Sequence, residues 1–69
     1  MTHNPTEERT YTFIKQFIGV RNYAPTQNDI AEYLGISQPA VSRYLRSLHG
    51  KGLITYERYR HRGITIKGE

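Results

Sequence analysis

The chain has 69 residues, a formal net charge of +4 and no cysteine, so neither a disulfide nor a thiolate metal site can staple it. A chain of this length makes one small domain, residues 1–69, which buries only about 60% of the surface that its unfolded form would expose. No apolar run is long enough to span a membrane, and the polar start MTHNPTEER lacks the apolar stretch of a signal peptide, so we expect a cytoplasmic protein.

The first predicted element is a helix from about Pro5 to Val20. Asn4 or Thr6 can cap it, and proline is tolerated in its first turn. Glu7 and Glu8 suit the positive end of the helix dipole, so we expect both acids to serve the helix start. The residues that recur at the helical period and form its core stripe are Thr10, Phe13, Ile14, Phe17 and Ile18, with Tyr11 at the margin.

The sequence of residues 27–49 predicts two short helices joined by a tight turn. The apolar positions change phase across Gly35, where a residue at positive φ costs least. We expect Thr26 to cap the second helix, which then ends at Leu34. The apolar positions on the two helices are Ile30, Ala31, Leu34, Ile36, Val41, Leu45 and Leu48. A unit of this kind is a helix-turn-helix, which lays its second helix on DNA.

The third helix of the chain is predicted to cover about Ser37 to His49, with Ser37 as its cap and Pro39 in its first turn. Residues 50–52, Gly-Lys-Gly, are expected to break it. Two short β-type runs follow, residues 53–57 and 63–67, so the predicted wing spans residues 53–67. The apolar residues that alternate onto one face are Ile54 and Tyr56 in the first run, and Ile64 and Ile66 in the second.

The positive charge is concentrated in the second half of the chain. Residues 37–67 carry seven lysines and arginines and one acid, Glu57, whereas residues 1–36 carry three bases and four acids. A polyanion is the natural partner of such a surface. An anionic membrane would also attract it, but no helix here joins a basic face to a broad apolar one, so we expect no membrane partner.

The outward face of the third helix is polar and basic. With the apolar residues turned inward, the opposite and flanking sides carry Gln38, Pro39, Ser42, Arg43, Arg46 and His49. Arginine can bind guanine in a fork, and glutamine can bind adenine with two hydrogen bonds. The residues of this helix that we predict to contact DNA are Ser37, Gln38, Pro39, Ser42, Arg43 and Arg46. The alternative is that the arginines only form the solvated face of a surface helix.

The start of the second helix is a second predicted contact region. Thr26, Gln27 and Asn28 lie where free backbone N–H groups and the helix dipole attract phosphate. Their alternative role is capping alone, and for Thr26 the two roles are compatible.

The loop between the two β-type runs, residues 58–62 (RYRHR), is a third predicted contact region. It interleaves three arginines with two flat rings, a composition that suits phosphates or a narrow minor groove. The residues assigned to DNA here are Tyr59, Arg60, His61 and Arg62. The alternative is a solubilising hairpin tip.

The residues give no indication of an enzyme, a metal site or a cofactor. The three histidines are dispersed and lack metal-ligand spacing, and there is no phosphate loop, nucleophile elbow or pair of carboxylates. Six tyrosines are compatible with stacking on single-stranded nucleic acid. However, Tyr33, Tyr44 and Tyr56 lie beside or on the inward faces of their elements, so packing explains about half of them.

The order of the elements resembles a winged helix-turn-helix domain of the α+β class, over residues 6–67. The Ala24-Pro25-Thr26 approach to the second helix, the IAEYLG helix, the KGLI strand start and the RGITI return strand are similar to the DNA-binding domain of LexA-type repressors and related bacterial regulators. That resemblance implies that the third helix enters the major groove and that the wing follows the flanking backbone or minor groove. The segment SQPAVSRYLRSL departs from LexA, so the LexA operator does not transfer.

The protease and dimerisation domain of LexA-type repressors has no counterpart in these residues. We therefore expect a stand-alone bacterial, phage or mobile-element regulator that does not cleave itself and acts as a repressor on double-stranded DNA. A homodimer on two half-sites is expected, with a monomer on a short site as the alternative. The rival functions are an architectural or recombination factor on DNA, and a winged-helix module that binds a protein partner.

Overall fold

The computed structural model describes residues 5–57 and 63–67. Its elements are, in chain order, α1 (Pro5–Arg21), α2 (Gln27–Leu34), α3 (Gln38–Gly50), β1 (Ile54–Tyr56) and β2 (Ile64–Ile66). Three helices followed by a two-stranded antiparallel sheet are the predicted winged helix-turn-helix. The predicted contacts Tyr59, Arg60, His61 and Arg62, and the predicted cap Asn4, lie outside the described residues.

Helix α1 begins at Pro5, one residue before the alternative cap Thr6. The prediction that Thr6 caps the helix is therefore wrong, because its backbone is already helical. The Thr6 carbonyl instead accepts a hydrogen bond of 2.8 Å from the hydroxyl of Thr10. Thr10 is fully buried, so this bond satisfies a polar group that would otherwise be costly in the core.

Local capping sets the bounds of α2, as predicted. The Thr26 hydroxyl accepts from the Asp29 backbone N–H at 3.0 Å, and the Thr26 N–H donates to the Asp29 carboxylate at 2.9 Å. At the other end Gly35 adopts φ 69° and donates its N–H to the Ala31 carbonyl at 2.9 Å. This left-handed glycine turns the chain within three residues into α3.

Helix α3 begins as predicted and ends at Gly50, within one residue of the predicted end. Ser37 caps it, accepting from the Ala40 N–H at 3.3 Å, and Pro39 lies in the first turn. The expected break within residues 50–52 is confirmed, because Gly50 is the last helical residue and Lys51 caps the helix. The chain turns at Gly52, where φ is 78°.

The two strands pair so that their apolar residues share one face. Ile54 lies opposite Ile66 and Tyr56 opposite Ile64, which agrees with the predicted alternation. Ile54, Ile64 and Ile66 are buried. The sheet therefore closes one side of the helices.

One hydrophobic core joins the three helices to the sheet. Its buried apolar residues are Ile14, Ala24, Ile30, Ala31, Val41, Leu45, Leu48, Ile54, Ile64 and Ile66. Phe13 and Phe17 of the predicted stripe are only half-buried. Tyr33, which we expected to pack beside the core, is 61% exposed and stacks on Phe13 with 4.2 Å between ring centroids.

Glu7 links the start of α1 to the turn after α3. Glu7 lies in the first turn of α1, as predicted, and its carboxylate also forms an ion pair with Lys51 that the sequence did not predict. The Lys51 ammonium, with a hydrogen bond from Ser47, holds the pKa of Glu7 below its usual value of 4.5. The sequence alone did not indicate this ion pair, because its two partners lie 44 residues apart in the chain.

A bilayer-crossing helix is not found in the described parts of the chain. The longest helix, α1, has 17 residues and carries charges at both ends.

Candidate nucleic-acid interface

The outer face of α3 carries the predicted DNA-reading side chains at the surface. Val41, Leu45 and Leu48 are buried and fix the rotation of the helix. The opposite side then exposes the predicted contacts Ser37, Gln38, Pro39, Arg43 and Arg46, while Ser42 is half-buried. The helix presents a short polar and basic surface of the width that a major groove admits.

Two arginines dominate the charge of this face. Within residues 5–57 and 63–67, neither Arg43 nor Arg46 forms an ion pair. No acidic residue occurs between Glu32 and Glu57, so α3 carries only positive charge. Among the described residues, therefore, no carboxylate neutralises the guanidinium groups of Arg43 and Arg46, whose N–H donors suit a phosphate or a base edge.

The start of α2 lies next to the start of α3. The Gln38 Nε2 group donates to the Asn28 side-chain oxygen at 3.3 Å. Both side chains are exposed, so two of the predicted contact regions form one continuous polar surface.

The capping box at Thr26 limits what this residue can do for a ligand. Its hydroxyl is used by the Asp29 N–H, and the Asp29 carboxylate adds a negative charge at the helix start. The observed role of Thr26 is therefore capping. The backbone N–H groups of Gln27 and Asn28, in the first turn, are the donors of α2 that remain for a phosphate.

The structure adds Tyr56, which the sequence assigned only to packing. The Gln27 Nε2 group donates to the Tyr56 hydroxyl, and Ser42 Oγ lies 3.5 Å from the same oxygen. Tyr56 thus joins α2, α3 and β1 at one point. No local pattern could reveal this contact, because Gln27 and Tyr56 are 29 residues apart.

His49 is occupied by the sheet, although the sequence places it on the outer side of α3. Its Nδ1 atom lies 3.3 Å from the Ile54 carbonyl oxygen and 3.3 Å from the Tyr56 backbone nitrogen. The imidazole ring therefore ties the end of α3 to β1.

The described ends of the predicted wing are paired with each other. The Glu57 N–H donates to the Gly63 carbonyl at 2.8 Å, so residues 58–62 are the connection between two paired strand ends. No cluster of acidic, histidine or cysteine side chains suited to a metal ion is found in the parts of the chain that the structure describes.

Comparisons with known proteins agree with this geometry. A family model for the Crp-like helix-turn-helix domain matches residues 9–68. That range takes in most of α1 and all of α2, α3 and the two strands.

The curated relatives are LexA repressors. The chain is 43% identical over 61 residues to the LexA repressor of Herpetosiphon aurantiacus, which aligns 87% of this chain with 28% of the relative. It is 37% identical over 65 residues to LexA repressor 1 of Geobacter sulfurreducens, covering 93% of this chain and 32% of the relative. A third, the LexA repressor of Pseudomonas chlororaphis, is 35% identical over 65 residues with the same two coverages.

The chain spans less than a third of the length of these relatives. The shared family and the relatives together support DNA-binding transcriptional regulation. With three helices, a helix-turn-helix turn at Gly35 and a following hairpin, the chain belongs to the family of Crp-like helix-turn-helix domains.

Proposed function

We propose that this domain recognises a specific site on double-stranded DNA and represses transcription there. The observation that carries the proposal is the exposed, basic outer face of α3, where Arg43 and Arg46 have no acidic partner among the described residues. A helix that presents such a face and is anchored on its other side by Val41, Leu45 and Leu48 suits the major groove.

The first two turns of α3 supply the base-reading side chains in this proposal. Gln38, Ser42 and Arg43 offer amide, hydroxyl and guanidinium groups, each of which has a matching pattern on a base edge. Arg46 lies about one turn further along and contacts a base or a phosphate. Ser37 and Pro39 set the geometry at the start of α3 and lie close to the sugar–phosphate backbone of the DNA.

The start of α2 and the wing supply phosphate contacts. The N–H groups of Gln27 and Asn28 bind a backbone phosphate, next to the side chain of Gln38 that Asn28 already contacts. Tyr59, Arg60, His61 and Arg62 follow the flanking backbone or minor groove, because the paired strands bring both ends of their segment to one edge of the domain.

Repression is the simplest regulatory role for such a domain. A protein that occupies a promoter needs only its DNA-binding surface, whereas an activator also needs a patch for polymerase. The names of the relatives agree with this role. A homodimer on an inverted repeat would double the contact surface of so small a domain.

Selection of bound sequences from a random duplex pool tests the proposal. We expect one motif or an inverted repeat for the wild-type chain, and loss of the motif for the double variant Arg43→Ala, Arg46→Ala. Each lost base contact corresponds to about 1–3 kcal/mol of discrimination. The matched control is Arg9→Ala, Lys15→Ala, which removes the same charge from exposed positions of α1.

The salt dependence of binding measures the number of phosphate contacts, including those of the wing. Affinity for the selected site should fall steeply between about 50 and 200 mM salt, and removing one phosphate-contacting arginine of the wing should lower the slope by about 1. If no duplex is preferred at any salt concentration, or if the α1 control abolishes the motif as fully as the α3 variant, the proposal is wrong.

A second candidate is a module that binds a protein partner, and one surface favours it. Tyr33, stacked on Phe13, and the exposed Val20 and Tyr23 form an aromatic and apolar area along α1. Under this alternative the variant Arg43→Ala, Arg46→Ala keeps its activity in the cell. The variant Val20→Ser, Tyr33→Ser then loses it.

A further inference from the structure

The Tyr56 hydroxyl lies at the junction of three elements that face the proposed DNA surface. It accepts a hydrogen bond from the Gln27 side-chain amide at the start of α2. Ser42 of α3 lies 3.5 Å away, at the outer limit of hydrogen-bond distance. The Tyr56 backbone N–H is also 3.3 Å from His49 Nδ1, so the tyrosine is held from its own strand as well.

The chemistry of the amide leaves Gln27 able to bind DNA while it holds Tyr56. A glutamine side chain has two N–H donors and one carbonyl acceptor. Tyr56 uses one donor, so the other donor and the carbonyl oxygen remain, and these are the two groups that pair with adenine or accept a bridging water. The contact therefore fixes the orientation of the Gln27 side chain and still leaves it one N–H donor and the carbonyl oxygen.

Ser42 completes the same chain of donors and acceptors. Ser42 Oγ lies 3.5 Å from the phenol oxygen that Gln27 contacts, and either hydroxyl can be the donor. Tyr56 therefore holds the side chains of Gln27 and Ser42 around one oxygen atom, which limits the orientations that both can adopt.

We propose that Tyr56 is a positioning residue for sequence recognition, which pre-orients Gln27 and Ser42 at the protein–DNA interface. The inference rests on the proposed DNA-binding function and goes beyond it, because it assigns part of the specificity to a strand residue that need not touch a base. It also makes the base of the wing, through β1, a determinant of how α2 and α3 read DNA.

The conservative variant Tyr56→Phe tests this role, since it keeps the ring and removes only the hydroxyl. We expect its affinity for the selected duplex to fall about 3- to 10-fold, the range of one lost hydrogen bond, while its affinity for unrelated duplex stays unchanged. The matched control is Tyr11→Phe, which removes the same group from a half-buried ring on α1.

A double-mutant cycle identifies the residues through which Tyr56 acts. In a Gln27→Ala, Ser42→Ala background, Tyr56→Phe should change affinity less than about 2-fold, because its two partners are already gone. The side-chain amide of Gln27 gives a readout without DNA. Its NMR resonances should move, and its solvent exchange should accelerate, in Tyr56→Phe but not in Tyr11→Phe.

The outcomes distinguish this inference from the proposed function. Wild-type chain that binds no preferred duplex overturns both. Wild-type chain that binds a selected site, with Tyr56→Phe equal to Tyr11→Phe in the ratio of specific to unrelated affinity, overturns the role of Tyr56 alone. A full effect of Tyr56→Phe in the Gln27→Ala, Ser42→Ala background also overturns it.

Discussion

At the scale of single residues, two glycines have opposite effects on stability. Gly35 ends α2 at φ 69°, a conformation that costs other residues about 1–2 kcal/mol. Gly19 lies within α1, where glycine costs about 0.5–1 kcal/mol relative to alanine. An added Cβ would meet no atom within 4 Å at either position, so only the backbone distinguishes them.

Gly35→Ala should therefore destabilise the domain by about 1–2 kcal/mol, and Gly19→Ala should stabilise it by about 0.5–1 kcal/mol. Urea unfolding followed by circular dichroism measures both. Equal effects of the two substitutions would show that the left-handed turn between α2 and α3 is not the source of the cost.

At the scale of elements, the Glu7–Lys51 pair joins the start of α1 to the turn between α3 and β1. The folded-state pKa of Glu7 is lowered, so its contribution is fully present above the unfolded value of 4.5 and is lost as pH falls through the lower folded pKa. Lys51 is more than half exposed, which keeps the net contribution small.

Glu7→Gln should lower the free energy of unfolding by about 0.5–1.5 kcal/mol at neutral pH. Its difference from the wild type should shrink as pH falls below 4.5, because the wild-type carboxylate then loses its charge. Thermal melts across pH measure this difference, with the exposed Glu32→Gln as control. A difference that is independent of pH would contradict the ion pair.

The same elements show which features a sequence can predict. The bounds of α2 and the start of α3 follow from side chains within three residues of each helix end: Thr26, Gly35 and Ser37. The Glu7–Lys51 and Gln27–Tyr56 contacts join residues 44 and 29 positions apart, so they depend on how the helices pack. The exposed face of α3 was predictable from the sequence, whereas the Gln27–Tyr56 contact beside it was not.

At the scale of the whole molecule, the basic residues of α3 lie on the same side of the domain as the exposed helix face that suits a DNA groove. The helix with no acid, α3, is also the helix that contributes the most buried apolar residues to the core: Val41, Leu45 and Leu48. Because these buried residues fix the rotation of α3 about its axis, the side chains of Gln38, Arg43 and Arg46 are all exposed on the same face. We therefore expect DNA to meet one continuous face, made of the starts of α2 and α3 and the wing.

Amide chemical-shift mapping with the selected duplex tests that face most directly. We expect the perturbed amides to lie in residues 26–28, 37–46 (except Pro39, which has no N–H) and 57–63. The amides on the outer side of α1, at Thr12, Gln16 and Val20, should stay unchanged. Perturbations confined to α1 and Tyr33, with none at Gln38, Arg43 or Arg46, would contradict this expectation.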